Sequence, residues 1–390
     1  MKTLKKLSAL LLAIVMLLCL AACHPKDEVA VSSGDIKITS AMYSYYLVMA
    51  DMEAQNIITS DEKIDTTARG FDFHKQTIEG KPYDEYVKEL ALNNCLKAIA
   101  YQKLCNDNKV ELSTDDIAQA DYNAQYDWYY YGYNYGYQYG YGDFLPLNGV
   151  NFNTYNNVVK INYYGDAYFK HLYDKGGEKE VADTDIQKSM DENYAAVYLL
   201  AEQYTDETLE TLKTTFTKYM DRINKGEEFK AIHAEHNKTE EDKKEENKTE
   251  DSKEETKDET KEEGKTEEST DNKEETKEEP KAKDELISIV GSDKTESNRT
   301  FSKFTEVKAM KNDEIKLMDD TENKILYLVV KKDINADTYY KEHLLKSEIL
   351  YLIKGDEFKG IVDECIKKLD YSVSNYAIKQ FKVKNINYGA

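Results

Sequence analysis

The stretch Lys238–Asp284 constrains this chain more than any other. It holds 21 acidic and 12 basic residues, with no aromatic, Leu, Ile or Val among them. Such a segment buries too little apolar surface to offset the entropy of ordering it. Residues 238–284 therefore read as a disordered acidic insert: a tolerated expansion at a loop, with a flexible spacer or a weak cation-binding tail, extended by its like charges, as the alternative. Any core must be built from the two flanks, 29–237 and 285–390.

Those flanks read mostly as helix. Only four prolines occur in 390 residues, which leaves long stretches without a helix breaker. Val29 to Ile38 alternates around Ser33-Gly34-Asp35 and predicts a short hairpin. Thr39 or Ser40 then caps a helix through Tyr43, Leu47 and Met52. Tyr83–Asn108 carries Leu92, Leu96, Ile99, Ala100 and Leu104 on one stripe, the strongest helical pattern present. Ser113–Asp116 and Thr184–Gln187 have the capping-box form and open further helices. Asn153–Lys175 reads as a Tyr-rich helix. Ala195–Ala201 is an apolar run of strand length, and Leu209, Leu212, Phe216, Met220 and Ile223 recur at helical spacing up to Gly226, with a short turn at Phe229 and Ile232. Beyond the insert, structure resumes at Leu286–Val290. Ile325–Val330 is the clearest strand, and Asp337 to about Lys368 is helical. The fold class is α+β, mostly helical.

The N-terminus carries Lys2, Lys5 and Lys6, then an apolar run from Leu7 to Leu20. That run spans roughly 21 Å as a helix against roughly 30 Å of bilayer hydrocarbon, so it reads as a secretory signal over 1–22 rather than a spanning anchor. Leu20-Ala21-Ala22-Cys23 resembles a bacterial lipobox. The resemblance makes Cys23 the lipid-carrying first residue of the mature protein, with 23–28 as its tether. It sets the protein on the outer face of the bacterial cytoplasmic membrane. A formal net charge of −22 excludes nucleic acid, whose phosphates need basic partners. Cys95 and Cys105 on one helix would lie roughly 15 Å apart, too far for a bridge, and no disulfide framework is implied.

Candidate chemistry is sparse. His233 and His236 share one helix face beside Glu235, a pattern that fits a solvated helix end better than a metal site. Glu227-Glu228 points in two directions on a helix and makes no carboxylate dyad. No metal site and no cofactor follow from the sequence. The Tyr/Gly-rich stretch 122–142 stands apart and reads as a surface loop. Tyrosine offers a large amphipathic ring with little entropy to lose on contact. Trp128, Tyr129, Tyr130 and Tyr131 are therefore the candidate substrate-binding residues, for unfolded polypeptide or glycan.

The order of these features resembles the PrsA-type foldase lipoproteins and the related SurA-type chaperones. The lipobox is followed by Val29-Ala30-Val31, Gly34 and Ile38-Thr39. Leu90–Cys105 and Val110–Ile117 resemble the family's long helix and the capped helix after it. Val181–Ile186 and Tyr194 resemble the entry to its isomerase domain. Ala196–Ala201 would be the first strand of a parvulin domain, Gly226-x-x-Phe229 its helix end, and Met310–Ile315 its last helix-to-strand turn. The resemblance implies a helical chaperone domain over 29–193, a parvulin-like α/β domain split into 194–237 and 285–335, and a C-terminal segment 336–390 packing on the chaperone part. It implies one compact four-stranded sheet bearing helices, joined across the insert. The family's first-strand histidine aligns with Tyr198, and the last-strand histidine falls near Leu326 or Tyr327. Neither position is His, so the implied function is a membrane-anchored foldase that holds unfolded exported polypeptides, its isomerase activity lost. An active peptidyl-prolyl isomerase and a surface-binding lipoprotein using the Tyr-rich stretch are the alternatives. The partners implied are unfolded secreted polypeptides and the membrane, through the lipid on Cys23. A homodimer is left open.

Overall fold

The computed structural model describes residues 28–61, 63–130, 140–238, 286–295, 298–334 and 344–389. The signal segment, Cys23, Tyr131 and nearly all of the acidic insert lie outside the described residues. In chain order the main elements are strands β1 (Val29–Ser33) and β2 (Ile36–Thr39), then helices α1 (Ser40–Thr59), α2 (Tyr83–Asn108), α3 (Thr114–Tyr130), α4 (Phe152–Tyr173) and α5 (Asp183–Asn193). Strand β3 (Tyr194–Gln203), helices α6 (Leu209–Asn224) and α7 (Phe229–His236), strand β4 (Ser288–Gly291) and helix α8 (Phe304–Ala309) follow. Strands β5 (Ile315–Asp320) and β6 (Ile325–Lys332), helix α9 (Leu344–Lys367) and strand β7 (Ser372–Val373) complete the set. Small antiparallel sheets among long helices make this a mostly helical α+β fold. No described helix is long and apolar enough to cross a membrane.

The chain divides into two compact units, one comprising residues up to Val181 together with Lys354 onward, the other Ala182–Ile353. In the first, β1 pairs antiparallel with β2, and Gly34 takes the left-handed conformation (φ +56°) that the tight turn requires. Thr39 caps α1 by accepting from the Met42 amide. Helix α1 packs on α2 through Leu47, Ala50 and Ala54 against Val87, Ala91, Ala98 and Ile99, all buried. Alanines along this seam allow the close approach. Ser113 and Asp116 form the expected capping box, each side chain bonded to the other's backbone amide. Residues 122–130, expected in a loop, instead complete α3. Their physical reason is composition: the first glycine of the Tyr-rich stretch is Gly132, and the rings before it meet at i, i+4 spacing.

In the second unit, Ala196–Gln203 of β3 pairs with the whole of β6, and the sheet runs β4-β3-β6-β5, antiparallel throughout. The two stretches flanking residues 239–285 thus share one sheet. Alternation along β3 sends side chains to both faces. One face meets α6 and α7 through Leu200, Leu326, Leu328, Phe216, Phe229 and Ile232. The other meets α8 through Val197, Val329, Met318, Phe304 and Val307. Helix α5 lies in this unit, not with the N-terminal helices: Met190 packs against Tyr194, Ile289 and Ile349. Thr184 supplies no cap there; α5 starts at Asp183 with no side-chain cap bond. Arg299 clamps α9 with two bonds to the Glu348 carboxylate, both side chains largely buried.

Candidate functional site

Three places in the fold are candidate sites.

The first is the α6/α7 face of the sheet. Tyr198 on β3 sits opposite Val330 of β6 and stacks on Phe229 of α7, with centroids 4.9 Å apart and planes 19° apart. The Lys332 ammonium lies 5.1 Å from the Tyr198 ring centroid and pairs with Asp313. Leu326 is buried on this same face, four residues along β6 from Val330; Tyr327 points to the other side, against Phe301. Neither central strand carries a histidine. A tyrosine hydroxyl, with an ordinary pKa of about 10, is a poor proton-transfer group at neutral pH. Here its ring is engaged in stacking.

The histidines of α7 are tied up locally. His236 lies 3.4 Å from Glu202 and edges onto Phe216 and Tyr219. His233 contacts Phe229 and Asn237. Glu235 and Glu227 both reach Arg222, at 2.8 and 2.6 Å, and that guanidinium holds the Glu227 carboxyl below its usual range. Among the described residues no group of three or more His, Cys, Asp or Glu side chains is placed to hold a metal ion.

The second place is the aromatic end of α3. Trp128 points inward, packing on Phe152 (5.6 Å) and Tyr155 (5.7 Å). Added atoms at Gly142 would strike its indole ring. Trp128 is therefore a packing residue beside the buried cluster of Val48, Tyr141, Phe144 and Tyr155. Tyr129 and Tyr130 point outward, 59% and 53% exposed. Tyr126 and Tyr122, one and two turns before Tyr130, share that outward face. The structure thus separates the four expected contact residues: two exposed, one packed, and Tyr131 outside the described range.

The third place is a cleft of about 420 Å³ in the first unit. Its walls are the start of α1, the turn Pro146–Gly149 and the C-terminal stretch Gln380–Ile386. Ala41, Leu47, Leu147, Phe381 and Ile386 supply an apolar lining, and the Asn148 and Gln380 amides stand among them. Ser44 donates to the Asn148 carbonyl, fixing the turn against α1. Asn148 also bonds Asn387 twice, holding the C-terminal wall. Leu147 is 53% exposed, an apolar side chain held at the cleft mouth. The sequence reading did not single out this cleft. Its one sequence signal is the Pro-Leu-Asn-Gly turn standing between two Tyr-rich stretches.

No family model matches the chain, and no curated relative matches it. Solved structures similar to it include the foldase protein PrsA from Lactococcus lactis, at 13% identity over 91% of this chain and 100% of that one, with a TM-score of 0.36. The foldase protein PrsA from Streptococcus pneumoniae is 14% identical over 78% of this chain and 98% of that one, TM-score 0.38. PrsA from Bacillus subtilis is 16% identical over 76% and 90%, TM-score 0.29.

Proposed function

We propose that this protein is an extracytoplasmic foldase of the holding kind, tethered to the outer face of the cytoplasmic membrane by a lipid on Cys23. It binds unfolded exported polypeptides and releases them without ATP. It performs no prolyl isomerisation. The observation that carries this reading is the four-stranded sheet closed from both sides of residues 239–285, with Tyr198 stacked on Phe229 where the family it resembles carries a histidine. The apolar cleft of the first unit supports the binding half of the proposal. A lining of Leu47, Leu147, Phe381 and Ile386 offers burial to a side chain that an unfolded chain exposes. The Gln380 amide can meet a peptide group beside it.

The mature protein should suppress aggregation of a denatured client at stoichiometric amounts. Leu147→Asp should weaken that protection several-fold without moving the thermal midpoint, because Leu147 is more than half exposed. No protection by the unaltered protein would remove the proposal. In a cis/trans assay on an X-Pro peptide, the rate should equal the uncatalysed one, with relaxation over tens of seconds. Acceleration would return the isomerase reading.

A further inference from the structure

Helix α3 reverses the usual amphipathic arrangement: three of its four charges face the protein and its four tyrosines face outward. Three of its four aspartates line the seam with α4. Asp116 pairs with Lys170 (3.5 Å), and Asp121 with Lys160 (2.7 Å) and the Asn156 amide (2.7 Å). Asp127 accepts from the Tyr155 hydroxyl (3.0 Å). Asn123 donates to Tyr163 in the same row, and Ala120 and Ala124 are fully buried. The fourth aspartate, Asp115, lies in the first turn, ahead of the rings.

The opposite face carries Tyr122, Tyr126, Tyr129 and Tyr130, which are 62%, 39%, 59% and 53% exposed. Their rings follow one another along the axis. Tyr122 and Tyr126 stand 6.4 Å apart with planes 21° from parallel; Tyr126 and Tyr130 are 5.5 Å apart, Tyr129 and Tyr130 6.3 Å. Gln119 and Gln125 are exposed beside them. A contiguous aromatic strip left on the surface marks an interaction site.

The charge pattern selects the ligand. The strip itself bears no charge, so it offers no counter-ion to a polyanion or a polycation. The whole molecule, at −22, repels polyanions besides. What remains is a neutral polymer with flat apolar faces for the rings and polar groups for the amides. A polysaccharide supplies both, through the C–H faces and the hydroxyls of its sugar rings. We propose that Tyr122, Tyr126, Tyr129 and Tyr130 form a binding strip for a linear, uncharged glycan, with Gln119 and Gln125 taking its hydroxyls. This site is separate from the client cleft and does not rest on the foldase reading.

Calorimetric titration of the mature protein with uncharged N-acetylglucosamine oligomers of increasing length tests this. Affinity should rise with oligomer length until the strip is filled, and it should not depend on salt, since no ion pair forms. Tyr122→Ala and Tyr129→Ala should each weaken binding about tenfold, the scale of one lost ring contact. Neither should lower the thermal midpoint. Three results would each overturn the proposal: no binding by any oligomer, affinity independent of length, or unchanged affinity in the Tyr122→Ala/Tyr129→Ala double variant. If the double variant instead lost client protection while the unaltered protein bound no oligomer, the strip would be a polypeptide site. Leu147→Asp leaves the strip intact, so a failed foldase reading would leave glycan binding in place.

Discussion

Asp320 illustrates what one buried carboxylate contributes. It is 3% exposed and accepts from the Asn323 side chain (3.0 Å), the Ser302 hydroxyl (2.6 Å) and the Asn323 amide (3.1 Å). These donors, Asn323 foremost, pull its pKa down to about 2 from an ordinary 3.8. A folded pKa below the unfolded one means stability that is fully present above the unfolded value and lost as pH falls toward the folded one. The thermal midpoint should therefore drop between about pH 4 and pH 2, and Asp320→Asn should flatten that part of the profile. Equal slopes in the two proteins would refute the assignment. Asp51 gathers hydrogen-bond donors in the first unit, accepting from Tyr83 (2.8 Å), Tyr388 (2.6 Å) and Gln55 (2.8 Å) while 3% exposed. Burial, then the Asp51 charge, pushes the Tyr83 phenol well above its ordinary value. Asp51→Ala should cost about 1–3 kcal/mol by stranding those donors, read from denaturant unfolding.

At the scale of elements, legibility followed how much of the signal was local. Thr39, the Ser113–Asp116 pair and the stripe on Tyr83–Asn108 act within a few residues, and those helices lie where the pattern puts them. Thr39→Ala should cost about 1 kcal/mol in thermal or denaturant unfolding, since no other side chain caps α1. Strand β5 was not legible. Its Lys316, Asp319 and Asp320 break the apolar run, because an edge strand needs only one well-covered face. Helix α8 was missed because six residues are too few to show a period. Thr184–Gln187 had the capping pattern, yet the helix opens one residue earlier, at Asp183. The candidate site divided the same way. Tyr129 and Tyr130 were visible as unusual residues, but the inward turn of Trp128 depends on Phe152 and Tyr155, more than twenty residues downstream. The cleft was invisible because its three walls come from α1, residues 146–149 and residues 380–386.

For the molecule as a whole, the pairings among the described residues of the second unit's sheet join 194–203 to 288–291 and 315–332, on the two sides of residues 239–285. Replacing 239–285 with a short Gly/Ser linker should leave its thermal midpoint unchanged or slightly raised, because a shorter loop costs less entropy to close. A fall in the midpoint would give that segment a structural part. The first unit has a different dependence. Its outer strand β7 pairs with β1, and the Ser372 hydroxyl meets that of Ser32 across 340 residues of chain. Tyr388 reaches Asp51, and Asn387 reaches Asn148. If the polypeptide crosses a membrane starting from its N-terminus, the helices of this unit arrive first yet wait longest. The second unit, whose residues emerge in between, can finish while its neighbour is still open at one edge. A protein proposed to shelter unfinished chains is thus itself an unfinished chain until its last twenty residues have come through.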